Sequence, residues 1–317
     1  MALKKFRIQV SPILAGKRLD QVLSDSLAQL SKGKIRKLIV AGAVYLNGKR
    51  VRIASKEMQS RACIEVFIDF DKLKGSDSKA KDVLFQMSAA RILFEDEWLI
   101  AVDKPSGLPT QPTVDEAREN LFGVIKRFLA EREKQTQVYL GLHHRLDRDT
   151  SGVVLLAKSR DANPGLASLF SAHRIEKKYL ALTWRAAELP PQAWNVKNYL
   201  GRLSKSQRFG AVRAGGDFAH TEFRLLETFP KGLLIEARPL TGRTHQIRVH
   251  LTEGGLPIFG DSVYGRNPSD PKDFIAKRTM LHAASLRFNH PLTQKEIFIE
   301  SPLPDDFSKC LERLRLG

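Results

Sequence analysis

The most informative segment of the chain reads HRLDRDTSGVVLLAK, from His144 to Lys158. Its second half is an apolar strand, Val153–Ala157, and its first half is a polar run that follows another strand ending near Leu142. A polar loop fixed between two core strands is a rigid platform for a functional side chain. Asp147 is the candidate in this loop, although Asp, Thr, Ser and Gly also occur together in turns that have no function.

Short strands dominate the chain from Arg91 onward, and few helical patterns interrupt them, chiefly at 121–129 and 166–170. Because the strands do not alternate regularly with helices, the pattern predicts an α+β domain with a large mixed or antiparallel sheet rather than a doubly wound one. The predicted strands are Ile92–Phe94, Leu99–Val102, Val153–Ala157, Tyr179–Trp184, Thr221–Glu227, Leu233–Ala237, Leu281–Phe288 and Ile297–Ile299.

The first 70 residues predict a separate small domain. Apolar residues recur at helical spacing from Leu19 to Leu30, and Ser31 can cap a second helix. A tight hairpin around Asn47-Gly48 and a strand at Ala62–Ile68 complete the unit. Polar and small residues then predict a linker, so we expect a first domain at 1–70, a linker at 71–90 and a second domain at 91–317.

The chain is strongly basic, with 52 Lys and Arg against 35 Asp and Glu, a formal net charge of +17 and a pI near 9.9. This balance favours a polyanionic partner. Residues 1–60 hold eight lysines and five arginines against two aspartates and one glutamate, so they are the expected docking surface. The alternative is a solvated basic helix that binds nothing. The outward cations of the second helix are Lys32, Lys34, Arg36 and Lys37.

Two cysteines, Cys63 and Cys310, lie far apart and outside any CxxC or Cys/His pattern. That spacing argues against a zinc site and a disulfide framework, and it fits a reducing, cytoplasmic setting. No apolar run approaches the roughly 18–20 residues that cross a bilayer, and the first residues lack the pattern of a signal peptide. We therefore expect a cytoplasmic protein that does not enter a membrane.

A second polar segment follows the strand Leu233–Ala237 and reads RPLTGRTHQIRVHL, from Arg238 to Leu251. After a turn it has helical apolar spacing, which places Arg243 at the start of a helix. A cation gains nothing from the positive end of a helix dipole. We therefore expect Arg243 to have a carboxylate partner elsewhere in the fold, although a plain helix with surface arginines would show the same pattern.

These two segments, together with GLPIFGDSVYG (255–265) and LHAASLRFNHP (281–291), resemble the RluA-type pseudouridine synthases, and they occur in that family's order. The resemblance spans nearly all of residues 91–305. The N-terminal unit resembles the small alpha-L RNA-binding fold, from Lys17 to Val51. An alpha-L domain ahead of such a catalytic domain is typical of the family members that modify large-subunit ribosomal RNA.

The resemblance implies an isomerase that cuts uracil from its ribose at N1, turns it and rejoins it through C5, without a metal, nucleotide or redox cofactor. Asp147 matches the catalytic aspartate, and its role as nucleophile or base stays open. By the same analogy Arg243 keeps Asp147 charged. Tyr179 matches the tyrosine that faces the uracil, and Arg145 matches the arginine that helps extrude the target nucleotide.

Under this hypothesis the expected partner is large-subunit ribosomal RNA, and the protein is expected to act as a monomer. Its basic helix would contact phosphates and give affinity without reading bases. Three other interpretations remain at this stage. One is a non-catalytic RNA-binding or ribosome-assembly factor, another is a synthase that acts on transfer RNA, and the third is a hydrolytic enzyme. The hydrolytic enzyme has little support, because paired carboxylates and metal ligands suited to hydrolysis are missing.

Overall fold

A computed structural model describes residues 3–27, 30–69, 85–112, 119–203, 208–265 and 276–316. The described residues form two compact units, one up to Phe85 and the other from Gln86 onward. In the part of the chain that is described, no helix is long and apolar enough to span a bilayer.

The N-terminal unit packs two helices against a small sheet. Its strands are hydrogen-bonded in the order β1-β4-β2-β3, and every pairing is antiparallel. The helices bury their apolar faces against β2 and β4, with Leu19, Ile35 and Ile64 fully buried. The elements are β1 (Leu3–Gln9), α1 (Leu19–Ser26), α2 (Lys32–Ala41), β2 (Val44–Leu46), β3 (Lys49–Val51) and β4 (Cys63–Asp69).

Local signals in the N-terminal sequence account for these boundaries. The Ser31 side chain accepts a hydrogen bond from the Lys34 N–H, as predicted for the cap of α2. Gly42 ends α2 in the left-handed region, at φ 78°. Asn47 and Gly48 both have positive φ, which the tight turn between β2 and β3 requires. The predicted helices and hairpin are therefore confirmed.

The second unit is built on an eleven-stranded sheet in the described residues. Its main path runs β11-β10-β12-β13-β9-β14-β8-β6-β5, while β15 pairs with β14 and β7 pairs with β8. The α+β prediction with a mixed sheet is confirmed. The strands are β5 (Ile92–Glu95), β6 (Leu99–Lys104), β7 (Gly141–Leu142), β8 (Ser151–Ala157), β9 (Glu176–Trp184), β10 (Ala193–Arg202), β11 (Phe209–Ala211), β12 (Asp217–Thr228), β13 (Gly232–Pro239), β14 (Leu281–Asn289) and β15 (Glu296–Glu300).

Within the described residues, one parallel strand pair joins the two halves of this sheet. Strands β8 and β14 pair in parallel through only two positions, His282 with Ser151 and Ala283 with Gly152. Gly152 has a φ of 116°, and a Cβ atom there would lie 2.2 Å from the Ala283 carbonyl oxygen. Only glycine permits both the backbone angle and the contact. This glycine follows directly on the polar loop that contains Asp147.

Four helices pack around the sheet within the described residues. The helix α5 (Gln246–Glu253) begins directly after the turn that follows β13, and its Ile247 and Leu251 lie in the same core as Phe223 and Ile235 of the sheet. Phe307 and Leu311 of the C-terminal helix complete that core. The helices are α3 (Leu121–Arg132), α4 (Ala162–Ser171), α5 (Gln246–Glu253) and α6 (Asp305–Leu316).

Candidate active site

A cavity of about 730 Å³ opens beside the polar loop that precedes β8. Its walls are formed by residues 142–147 and 150, by α4, by the start of β9, by the turn at 241–245 after β13 and by the start of α5. Sites that enclose a small molecule or one residue of a polymer commonly have volumes of roughly 300–1,000 Å³. The two polar segments singled out in the sequence therefore face each other across one cavity of suitable size.

Asp147 lies in the cavity wall, with its side chain 23% exposed. The Arg248 guanidinium donates from Nη1 to Asp147 Oδ2 at 2.8 Å. The same guanidinium grips the buried carboxylate of Asp261 with two further bonds, Nε to Oδ2 at 2.7 Å and Nη2 to Oδ1 at 2.8 Å. One arginine is therefore shared by two carboxylates, and only the Asp147 carboxylate reaches the cavity.

Hydrogen bonds favour the charged forms of the buried pair Arg248 and Asp261. Burial opposes the charge on Arg248, but the bonds and charges of Asp261 and Asp147 outweigh it and raise the pKa of the guanidinium. Burial likewise opposes ionisation of Asp261, yet the bonds from Arg248 and from the N–H groups of Tyr264 and Val263 lower the pKa of its carboxyl. A charged Arg248 therefore faces Asp147 over the working pH range.

The loop that carries Asp147 is tied to the end of β6. Lys104 is fully buried, and its ammonium donates to the carbonyl oxygens of Pro105, Leu108 and Arg148 at 2.8–2.9 Å. Burial lowers the pKa of Lys104 to about 7, against the opposing charges of Asp149 and Asp147. One side chain therefore binds carbonyl oxygens of the segment after β6 and of the loop that carries Asp147. These bonds hold the backbone around Asp147 in place.

The structure corrects the predicted partner of Asp147. Arg243 lines the same cavity, but its Nε donates to the Phe218 carbonyl oxygen at 2.9 Å, while Arg248 makes the ion pair. The helix α5 begins three residues later than expected, at Gln246, with His245 as its N-cap. Arg243 therefore belongs to the preceding turn, whereas Arg248 lies in the first turns of the helix, where every neighbouring residue is buried.

Comparison with known proteins agrees with this arrangement. A family model described as RNA pseudouridylate synthase matches residues 98–253, and a model of the S4 domain matches residues 17–60. The ribosomal large subunit pseudouridine synthase C of Escherichia coli O157:H7 is 35% identical over 311 residues, 95% of this chain and 94% of that protein. The chain belongs to the RNA pseudouridylate synthase family. It is an enzyme that isomerises uridine to pseudouridine in RNA.

Two further similarities support the family assignment. The protein of the same name from Vibrio vulnificus (strain CMCP6) is 31% identical over 315 residues, 97% of this chain and 96% of that protein. Among solved structures, Human RNA Pseudouridylate Synthase Domain Containing 4 is 28% identical with a TM-score of 0.58, and it covers 71% of this chain and 93% of that one. The sequence-based family resemblance is therefore confirmed.

Tyr179 of this synthase lies on β9 in the wall of the cavity, as does Asp147. Burial, and next the negative charge of Asp147, raise the pKa of the Tyr179 hydroxyl. The hydroxyl is therefore protonated at neutral pH. His245 also enters the cavity, with Nε2 3.8 Å from Asp147 Oδ2 and Nδ1 2.9 Å from the Tyr264 hydroxyl oxygen. Burial lowers the pKa of His245, which favours its neutral form.

Positive charge surrounds the single carboxylate of the cavity wall. Among the described lining residues, Asp147 is the only Asp or Glu. Arg145 reaches across the cavity, and its Nη2 donates to Thr244 Oγ1 at 3.1 Å. Lys177 donates to the Thr241 carbonyl oxygen at 3.0 Å, and burial lowers its pKa to about 8. Together with Arg243 and Arg248, these cations make the cavity suited to a polyanionic chain.

The predicted RNA-contacting residues of the N-terminal unit lie on α2. Arg36 is partly exposed, and it donates two hydrogen bonds to Asp20, which also accepts two from Arg18. Lys34 is also partly exposed on α2. The side chains of Lys32 and Lys37 lie outside the described part of the structure. Arg36 therefore helps to hold α2 against α1, in addition to its predicted contact with RNA.

Sequence reasoning missed three side chains of this site, namely Arg248, Asp261 and Lys104. A signal for Arg248 was present, because an arginine between Ile247 and Val249 lies in the most apolar part of its helix and so needs a buried partner. Within the described residues, no group of three or more His, Cys, Asp or Glu is placed to hold a metal ion.

Proposed function

We propose that this enzyme modifies uridine in large-subunit ribosomal RNA, with Asp147 as the catalytic carboxylate. Relatives that match over 95–97% of this chain carry the name ribosomal large subunit pseudouridine synthase C, and the basic S4 unit supplies a second surface for folded RNA. The ion pair between Asp147 and Arg248 is the observation that carries the catalytic assignment. We further propose that the protein is a monomer and that it acts in the cytoplasm. The free thiols of Cys63 and Cys310 support a reducing compartment such as the cytoplasm.

The isomerisation needs an ionised carboxylate beside the ribose. The N1–C1′ bond breaks, the uracil turns, and a C5–C1′ bond forms while the C5 proton leaves and N1 gains one. No atom is gained or lost overall. Asp147 can either attack C1′ or remove a sugar proton, and both roles require a carboxylate that has kept its charge. Arg248 supplies the compensating charge at 2.8 Å.

Arg248 is itself positioned by Asp261. A guanidinium presents its donors in a rigid plane, so two bonds to Asp261 leave Nη1 with one direction, which points at Asp147. A lysine could neutralise one carboxylate but could not bridge both in this geometry. We therefore assign Arg248 to holding the reactive oxygen in place and Asp261 to holding Arg248 in place.

Tyr179 supplies a flat apolar surface to the uracil, and its hydroxyl is a donor because the raised pKa keeps it protonated. Transfer of the C5 proton through this hydroxyl requires that the hydroxyl passes its own proton to a neighbouring base in the same step. Asp147, whose charge already acts on the Tyr179 hydroxyl, is the base that we propose.

Arg145 is proposed to help extrude the target nucleotide. A base inside a helix cannot reach Asp147, so the uridine must leave its stack before it enters the cavity. Arg145 lies two residues before Asp147 and reaches Thr244 on the opposite wall. In that position it can replace the missing base or hold the adjoining phosphate, and Lys177 and Arg243 can hold the phosphates that follow.

A map of pseudouridine in total RNA tests the proposed substrate. RNA from cells that lack the gene should lose pseudouridine at defined uridines of large-subunit ribosomal RNA, and the wild-type gene should restore them. Sites that disappear only from transfer RNA would contradict the proposed substrate while leaving the isomerase activity in place.

A further inference from the structure

A second surface of the catalytic unit carries exposed aromatic rings near the cavity. We use the term aromatic patch for Tyr199, Phe218 and Leu240. The residues Tyr199 and Phe218 are 54% and 43% exposed, and Leu240 is also well exposed. Two of these side chains, Tyr199 and Phe218, lie on neighbouring strands and contact each other. Exposed apolar side chains that adjoin one another commonly mark a binding site.

The strand register brings the two rings together. Tyr199 on β10 pairs with Phe218 on β12, and their rings meet edge to face with centroids 5.8 Å apart. Side chains alternate between the two faces of a strand. Asn198 and Thr221 point to the other face, where both contact His250 of α5. The aromatic patch therefore lies on the face of the sheet that α5 does not cover.

Short connections join the patch to the catalytic cavity. Arg243 in the cavity wall donates to the carbonyl oxygen of Phe218 at 2.9 Å. Thr241, also in the wall, accepts from the His220 N–H at 3.0 Å, and the Leu240 N–H donates to the His220 carbonyl oxygen. The turn after β13 thus has the cavity on one side and the patch on the other.

Charge at the patch complements RNA. Lys197 on β10 pairs with His220 on β12, two residues along each strand from Tyr199 and Phe218. Because side chains alternate between the two faces, Lys197 and His220 lie on the same face as the two rings. Arg243 lines the cavity together with Asp147 and also bonds to the backbone of Phe218. Within the described residues, neither Lys197 nor Arg243 forms an ion pair with a carboxylate. Aromatic rings beside unpaired cations are the usual platform for an unstacked nucleotide, because the rings stack on the base and the cations hold its phosphates.

We propose that the aromatic patch stacks an unpaired nucleobase of the RNA, from a nucleotide next to or near the uridine in the cavity. This inference rests on the proposed function, because it needs an RNA strand that enters the cavity at Asp147. Extrusion of the uridine interrupts the stack of its neighbours, so an adjacent base needs a new surface. The patch supplies that surface for any base, because every base presents a flat face.

Substitution of the two rings gives the first test. The substrate is an RNA oligonucleotide around a uridine that the wild-type enzyme modifies, chosen from the map in total RNA. Tyr199→Ala and Phe218→Ala should each raise KM about 5- to 150-fold with little change in kcat, as expected when a base loses its stacking partner. Tyr199→Phe should behave like the wild type. Phe298→Ala removes an equally exposed ring on β15 and should leave KM unchanged.

Removal of the base from the RNA gives the matched test. An abasic nucleotide is placed at each position around the target in turn. At one of these positions, the abasic nucleotide should raise the KM of the wild type by a factor similar to that of the ring substitutions. In the Tyr199→Ala/Phe218→Ala double variant, the same abasic nucleotide should cause no further change. Similar factors that do not multiply identify ring and base as partners.

Three results would overturn the inference: a KM of the double variant within twofold of the wild type, effects of ring removal and base removal that multiply, or no sensitive abasic position in the wild type. The first result would mean that the patch does not bind RNA, and a protein partner would then be the expected occupant. Sites that map outside large-subunit ribosomal RNA would overturn the proposed substrate, and the test of the patch would still be valid on whichever RNA is modified.

Discussion

Two arrangements of acidic and basic side chains in this molecule are inverse to each other. In the N-terminal unit, the nearly buried carboxylate of Asp20 is shared by two partly exposed arginines, Arg18 and Arg36. In the catalytic unit, the nearly buried guanidinium of Arg248 is shared by two carboxylates, buried Asp261 and partly exposed Asp147. In each arrangement, the sign of the shared buried charge determines the sign of the charge that is left exposed: positive around Asp20 and negative beside Arg248.

The difference matches the two tasks of the enzyme. Two outward arginines around a buried aspartate leave positive charge on the surface of the S4 unit, where phosphates can bind. A buried arginine leaves one carboxylate in the cavity of the catalytic unit, where the proposed mechanism needs an anion. In both units the buried partner also bonds to the exposed group, so we expect the same bonds to affect stability and function.

Among the residues that position Asp147, the largest effect should come from Arg248→Lys. Lysine keeps one positive charge but cannot bridge Asp147 and Asp261 in the same plane. We expect kcat to fall on the order of 10²-fold, measured as pseudouridine formed under saturating RNA. The matched control, Arg243→Lys, should lower kcat far less, since Arg243 does not contact Asp147. Equal losses in both variants would contradict the assignment of Arg248.

A smaller loss is expected for Asp261→Asn. The amide keeps the shape of the carboxyl but loses its charge and one of the acceptors for Arg248, so the guanidinium is less firmly held. We expect kcat to fall about 10-fold while KM for RNA changes little. A loss that appears in KM alone would mean that Asp261 supports RNA binding rather than the position of Arg248.

The smallest effect should come from Asp20→Asn, and it should be one of stability. Removing the charge weakens the bonds to Arg18 and Arg36 and should destabilise the contact between α1 and α2 by about 1–2 kcal/mol, measured by amide hydrogen exchange in these helices. Asp25→Asn, which removes an exposed pair with Lys17, should cost less than about 1 kcal/mol. Activity at saturating RNA should be unchanged in both variants.

The difference in stability between Asp20→Asn and the wild type should depend on pH. Burial opposes ionisation of Asp20, but the bonds from Arg18 and Arg36 outweigh it and lower the pKa of the carboxyl in the folded state. A lowered pKa means that its stabilising effect is complete above the unfolded value of about 3.9 and is lost as the pH falls through the folded value. An undiminished difference well below pH 3 would contradict this explanation.

Much of the fold could be predicted because its signals are local. The run Val153–Ala157 and the turn at Asn47-Gly48 specify a strand and a hairpin without reference to distant residues. Strand β1 was missed because its alternation is short, with only Phe6 and Ile8 as regularly spaced apolar residues, and its partner β4 lies more than fifty residues away. The parallel approach at Gly152 was also beyond prediction, since it depends on Ala283.

The site shows the same limit more sharply. Asp147, Tyr179 and Arg145 were placed in one cavity by their motifs, and the structure puts all three in its wall or beside it. The partner of Asp147 was chosen wrongly because the start of α5 was placed too early, and a shift of a few residues changes which arginine faces inward. Ion pairs between segments a hundred residues apart leave no periodic pattern in the sequence.

The Asp147 carboxylate is the group that we propose to carry the chemistry. The most direct test of this proposal is single-turnover pseudouridine formation by Asp147→Asn on bound RNA, with Asp149→Asn as the neighbouring control that keeps Asp147 intact. We expect the Asp147 variant to bind RNA as tightly as the wild type and to lose activity on the order of 10⁴-fold, while the Asp149 variant stays active. Pseudouridine formed by Asp147→Asn at a rate near that of the wild type would contradict the account.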